Sequence, residues 1–233
     1  MAQARRGGFM VLRAEQRVGH YNRPGSTVDV EEAMALQQYK QNRISPEDYL
    51  AGELVSGIKH EYIDGEVYAM TGTSINHNRI IGSLFAGLHL HLANTPCDVF
   101  TTDIKVKAQN NFFYPDLIVD CQNLNGDAYF TEAPLIIVEV LSKSTRKLDQ
   151  TLKRLAYQSL SSLQEYVLIE QDFVDIEICR RSNHWQSEHF YLGDQLYFSA
   201  IDLALPVEHI YARVDNEDMQ AFMLAQSQQN ASL

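Results

Sequence analysis

The sequence predicts a single α/β domain, and three observations carry that expectation. Residues 135–141 form a continuous apolar run broken only by Glu139 and bounded by Pro134 and Ser142, the pattern of a buried central strand. A helical stretch from Arg146 to about Leu160 follows, then a strand over residues 165–170, and this series suggests a right-handed crossover unit. Upstream, Asp64-Gly65 stands between two strand-like runs, the signal for a tight β-hairpin turn.

The elements can be taken in chain order. A first helix is expected at Ser45-Pro46-Glu47-Asp48: Ser45 caps, Pro46 suits the first helical position, and Asp48 completes a capping-box spacing. Ser74 is expected to cap a second helix reaching about Ala93, with Ile81, Leu84, Phe85, Leu88 and Leu92 on one apolar face. Short strands are expected over residues 98–100, 104–108 and 114–121, and a half-buried one over 174–180. The predicted organisation is an N-terminal arm over residues 1–30, the main domain over 31–215, and a polar, Gln-rich tail over 216–233 that is helical and peripheral. The arm carries Arg5, Arg6, Arg13, Arg17 and Arg23 against Glu15, which suits either a nucleic-acid contact or a loosely ordered terminus.

Composition narrows the function classes. No stretch of about 18 apolar residues occurs, so no membrane span is expected. The three cysteines, Cys97, Cys121 and Cys179, form no CxxC pair, which argues against a zinc knuckle or a disulfide framework and favours a reducing, cytoplasmic compartment. The formal net charge of -11 opposes a nucleic-acid partner, because phosphate binding leaves a basic footprint.

Two acids stand out. Glu139 interrupts a buried strand, and a carboxylate there must be compensated by a cationic side chain, by water at a strand end, or by a divalent metal. Asp116 opens another apolar strand, 23 positions earlier, where a hairpin-like return would set the two strands side by side so that both carboxylates share one hard cation. Asp149, Lys153 and Tyr157 follow at spacings of four and share one helix face. The Asp149–Lys153 pair is either a solvated surface pair or a lysine delivered over the acidic site. Between Ser142 and Tyr157, five cations stand against one anion, an arrangement that attracts a phosphate-bearing substrate. His77 follows the second helix start and can approach the same cleft, or be a satisfied buried histidine. His89 and His91 diverge on a helix and make a poor chelate, while Trp185 and Tyr191 fit core or interface better than base stacking.

Taken together, Pro115-Asp116, Glu139-Val140-Leu141-Ser142, Ser144-Thr145, Asp149, Lys153, Tyr157 and Glu165-Tyr166 resemble the Uma2 family of endonucleases, of cyanobacterial type, in the PD-(D/E)XK superfamily. Upstream, residues 61–66 and Ser74, His77 and Ile80 resemble the family's first block. The resemblance spans roughly residues 45–212. It implies a restriction-endonuclease-like core, a mixed central β-sheet flanked by α-helices. It further implies a metal-dependent endonuclease cutting DNA phosphodiester bonds, with Mg²⁺ or Mn²⁺ on Asp116, Glu139 and the Val140 carbonyl, and leaving a 5′-phosphate and a 3′-hydroxyl. Glu61 is implied as a further acid of the site, and a two-fold homodimer as the assembly. The superfamily's signature lysine position holds Leu141 here; Lys153 is the first replacement and Lys143 the second. The alternative is a non-catalytic nucleic-acid-binding or protein-interaction module on the same fold.

Overall fold

The computed structural model describes residues 43–230. The chain divides into two compact units, Met1–Met70 and Thr71–Leu233. The expected arm over residues 1–30 lies outside the described residues.

In the first unit, α1 (Pro46–Glu53) begins as the sequence predicts. Ser45 Oγ accepts the Asp48 N–H at 3.1 Å, satisfying one of the donors that a helix start leaves unpaired. Tyr49 on α1 is buried, stacks on Tyr62 at 5.0 Å and donates its hydroxyl to the His60 carbonyl. β1 (His60–Ile63) and β2 (Glu66–Ala69) pair antiparallel, with Ile63 opposite Glu66. That register leaves Asp64 and Gly65 as a two-residue turn at φ 53° and 90°, the left-handed geometry that tight hairpins need and that glycine adopts without steric cost. Glu61 lies on β1 and is buried.

In the second unit, α2 (Ile75–Leu92) is capped by Ser74, whose Oγ accepts the His77 N–H. Its buried stripe is Ile80, Ile81, Leu84, Leu88 and Leu92, the face that the helical spacing predicts. This stripe packs on a six-stranded sheet made of β3 (Asp98–Thr101), β6 (Leu117–Asp120), β8 (Ile136–Leu141), β9 (Glu165–Glu170), β10 (Ile176–Arg180) and β11 (Ser187–Phe190). Their order across the sheet is β11-β10-β9-β8-β6-β3. β8 pairs antiparallel with β6 and parallel with β9, so the sheet is mixed. All six residues of β8 and of β9 are buried, which explains their near-continuous apolar sequence. A smaller group is formed by β4 (Lys105–Ala108), antiparallel to β5 (Asn111–Phe113) and parallel to β7 (Phe130–Thr131). A third ladder joins β12 (Gln195–Phe198) to β13 (Leu203–Pro206), followed by the short helix α5 (Val207–Ile210).

Four expectations need correction. The strand expected over 114–121 is shorter, β6 (Leu117–Asp120), and residues 114–116 lie outside it, because Pro115 cannot donate to a ladder. The helix after β8 is not regular: α3 (Arg146–Leu148) widens into a π-helical turn at Asp149–Lys153 before α4 (Arg154–Gln158). The tail is the expected helix, α6 (Glu217–Asn230), but its start is tied in rather than peripheral: Met219 is buried and Asp218 Oδ2 accepts the Val174 N–H. Finally, Cys97 and Cys121, at the ends of the paired strands β3 and β6, form a disulfide. Distance along the chain hid a cross-strand neighbour, so the cysteine argument for a reducing compartment falls. Trp185 is half-buried beneath Arg181 and Tyr191 is exposed, so neither is core. Among the described residues, no helix is long and apolar enough to cross a membrane.

Candidate active site

The site is built where β6 and β8 run side by side. Leu117 pairs with Val138, and carrying that antiparallel register one residue further sets Asp116 opposite Glu139. Asp116 sits just before β6, and its Oδ2 accepts the Val140 N–H at 2.7 Å, so the carboxylate lies against the residue next to Glu139. The same Oδ2 is 3.1 Å from His77 Nε2, delivered from the first turn of α2.

Glu139 is compensated from the helix that follows its own strand. Its Oε1 accepts hydrogen bonds from Lys153 Nζ and from the Tyr157 hydroxyl, both at 3.1 Å. Lys153 Nζ also lies 3.1 Å from Asp149 Oδ1, outside hydrogen-bond geometry, so this second contact is an ion pair only. These groups are sequestered: Glu139 is 3% exposed, Lys153 4% and Asp149 1%. The reading of Asp149 and Lys153 as a solvated surface pair is therefore wrong.

The π-helical turn is anchored to the sheet beneath it. The buried Tyr166 hydroxyl, on β9, donates to the Asp149 carbonyl at 3.0 Å. Burial, with Glu139 and Asp149 adding to it, pushes the Tyr166 phenol well above its ordinary value, so it stays a donor. Phe113 and Tyr157 meet edge-on at 5.3 Å, Tyr157 and Tyr166 at 5.4 Å, and the Lys153 ammonium stands 5.8 Å from the Phe113 ring. The aromatic wall keeps the ion pairs in a poorly hydrated setting, where charge interactions are strong.

The basic stretch after β8 is less available than its sequence suggests. Arg146 forms a two-pronged contact with Glu170, whose hydrogen bonds raise the guanidinium above its ordinary value, and Arg154 pairs with Glu177 at 2.6 Å. Lys143 and Lys147 are exposed in the turn and on α3.

A family profile described as "Putative restriction endonuclease", Uma2, matches residues 46–208 of this chain, well over half of it. The chain belongs to the Uma2 family. Two cyanobacterial relatives from Synechocystis are similar to this Uma2 protein. The uncharacterized protein slr1290 is 33% identical over 174 residues, 72% of this chain and 92% of the relative. The uncharacterized protein sll1609 is 31% identical over 144 residues, 60% of this chain and 78% of the relative. A crystal structure of a "putative nuclease belonging to DUF820" from Anabaena variabilis superposes with a TM-score of 0.61 at 16% identity, covering 72% of this chain and 98% of that one. At that identity the likeness speaks for the fold, a mixed α/β architecture that matches the sequence's expectation.

Of the residues singled out in this Uma2 chain, the structure gathers Asp116, Glu139, Val140, Lys153 and Tyr157, with Asp149 and His77 at the margins. Glu61 belongs to the other compact unit. Sequence reasoning missed Gln171, just past β9. Its Oε1 accepts the Ser74 hydroxyl and its Nε2 donates to the Leu141 carbonyl at 2.9 Å, joining the cap of α2 to the exit of β8. A glutamine ending an apolar strand carries no sequence signal of that link. Tyr166 was noticed for the family resemblance but not for the carbonyl it satisfies.

Proposed function

We propose that this Uma2 protein is a metal-dependent endonuclease that hydrolyses phosphodiester bonds of DNA. The observation that carries the reading is the strand register that sets Asp116 opposite Glu139, with Lys153 Nζ 3.1 Å from Glu139 Oε1. The donor chemistry fits a small hard cation: the Asp116 and Glu139 carboxylates and the Val140 carbonyl are all oxygen ligands, the set that Mg²⁺ or Mn²⁺ prefers. No cluster of three or more His, Cys, Asp and Glu converges among the described residues, so protein carboxylates would supply only part of the shell, as is usual for Mg²⁺ sites. Bound there, the ion would supply Lewis-acid polarisation of the phosphodiester and an activated water.

The chain's own groups have separable tasks. Val140 N–H orients the Asp116 carboxylate. Tyr157 and Lys153 hold Glu139 in one rotamer, and Lys153 keeps an ammonium where negative charge develops on the phosphate. Lys153 thereby stands in for the lysine that Leu141 displaces from the superfamily signature. The exposed Lys143 and Lys147 offer phosphate contacts beside the site. We propose a two-fold dimer, because cutting both strands of a duplex favours two sites per particle.

The test is cleavage of supercoiled plasmid and of single-stranded DNA with Mg²⁺ or Mn²⁺, with and without EDTA, for the native chain and for Glu139→Gln. Metal-dependent cleavage that Glu139→Gln abolishes supports the reading. A second reading, a non-catalytic binding module on the nuclease fold, is favoured by one observation: Lys153 is already shared by two carboxylates. DNA binding by gel shift with no cleavage under any divalent ion decides for that module.

A further inference from the structure

We infer that His77 is a positioning residue for metal binding, acting through Asp116; the inference rests on the metal-dependent reading of the same site. Asp116 Oδ2 accepts the Val140 N–H at 2.7 Å and lies 3.1 Å from His77 Nε2, the second contact being an ion-pair contact outside hydrogen-bond geometry. Both groups meet the same oxygen and come from different elements, one from the backbone of β8 and one from the first turn of α2. The two contacts restrict the rotation of the carboxylate about its own axis and leave Oδ1 as the atom turned to a ligand. Among the described residues no hydrogen bond is made to Oδ1, and the Asp116 side chain keeps 15% of its exposure in an otherwise buried neighbourhood.

The ring is packed in place and its backbone is anchored. His77 is 3% exposed, and its backbone N–H donates to Ser74 Oγ at 3.1 Å. Ser74 is in turn joined through Gln171 to the Leu141 carbonyl at the exit of β8. The chain of contacts therefore returns to the strand that carries Glu139, so the two carboxylates are referenced to one framework. His77 Nδ1 is buried and has no hydrogen-bond partner among the described residues. A buried polar atom left unpaired costs stability. A leucine at this position would avoid that cost; the histidine is explained by what its other nitrogen does to Asp116. Removing an outer-shell partner of a metal-ligating group typically weakens metal binding by about 10- to 100-fold.

The experiment is Mn²⁺ binding to the full chain, followed by the loss of the free-ion EPR signal and by calorimetry, with melting temperature and Mg²⁺-dependent cleavage measured beside it. His77→Phe keeps a planar ring and removes the donor. His77→Gln keeps a donor near the Nε2 position. The expected result is Mn²⁺ affinity lowered about 10- to 100-fold in His77→Phe, largely restored in His77→Gln. Cleavage by His77→Phe should need proportionally more metal and recover at saturating Mg²⁺. Unchanged Mn²⁺ affinity in a folded His77→Phe overturns the inference while leaving the metal site intact. Equal loss in both variants overturns it too, because a donor then makes no difference. If His77→Phe does not fold, His77→Gln and His77→Asn decide: their amide nitrogens match Nε2 and Nδ1 respectively, and equal affinity in the two overturns the role given to Nε2. A native chain that binds no Mn²⁺ sinks the metal-dependent reading itself, and this inference with it.

Discussion

Lys153→Met is the most informative perturbation of the site. The methionine keeps an apolar stem beside Phe113 and deletes only the ammonium. In the native chain that ammonium stands 3.1 Å from both Glu139 Oε1 and Asp149 Oδ1, with all three residues no more than 4% exposed. Its removal strands two carboxylates in a buried setting, and breaking a buried pair from one side costs about 3–5 kcal/mol. For a domain of this size each kcal/mol moves the melting temperature by about 2–4 °C, so a fall of about 6–20 °C is expected. Urea denaturation followed by circular dichroism should show a lower midpoint with an unchanged slope, the sign of lost stability rather than a changed denatured state. Adding Asp149→Asn to Lys153→Met should recover part of the loss, because one stranded charge disappears. Mg²⁺ gives the second arm. An ion that binds only the folded state stabilises it by about 2.7 kcal/mol at a hundredfold excess over its dissociation constant. If Glu139 and Asp116 share that ion, Mg²⁺ should rescue Lys153→Met more than it stabilises the native chain. A loss below about 1 kcal/mol, the value of an exposed pair, would refute the burial argument. Rescue no greater than that of the native chain would refute the shared ion.

Other consequences can be checked alongside. Glu139→Gln should lose Mg²⁺-dependent cleavage yet melt closer to the native chain than Lys153→Met, because Lys153 keeps Asp149 and the amide can still accept from Tyr157; a larger melting loss than Lys153→Met would contradict this. Tyr166→Phe removes the buried hydrogen bond to the Asp149 carbonyl and should cost about 0.5–1.5 kcal/mol, with faster amide exchange confined to residues 149–153. Glu177 is held below its ordinary value: burial acts upward, but hydrogen bonds from Ser187 and Arg154 outweigh it. Its contribution is therefore present above an unfolded value near 4.5 and lost as pH falls through the lower folded value, so Ser187→Ala should flatten the acid limb of the stability profile. Reducing the Cys97–Cys121 bond, which spans a separation of 24 residues, should cost about 3 kcal/mol by chain entropy; a melting curve indifferent to dithiothreitol would count against the bond.

Local patterning carried much of the fold. The Ser45 and Ser74 caps, the Asp64-Gly65 turn, the stripe on α2 and the strands β8 and β9 are each decided by neighbours within a few residues, where spacing and turn chemistry are legible. Glu139 was legible as a problem for the same reason: a carboxylate in a buried strand must be answered by something. What answers it was not legible. A spacing of four between Asp149, Lys153 and Tyr157 describes a surface pair and a buried network equally well, and only packing against β8 and β9 chose the second. The interruption of the helix by a π-helical turn left no local trace, and the residue that anchors it, Tyr166, lies on the next strand. The Cys97–Cys121 bond, the Ser74–Gln171–Leu141 link and the His77–Asp116 contact join residues far apart in sequence. The sequence by itself determined which elements form and which acid needs a partner, because those are properties of short stretches of chain. Only the tertiary structure decided which partner each charge meets, because that depends on strand order and register, which bring residues together whatever their separation along the chain.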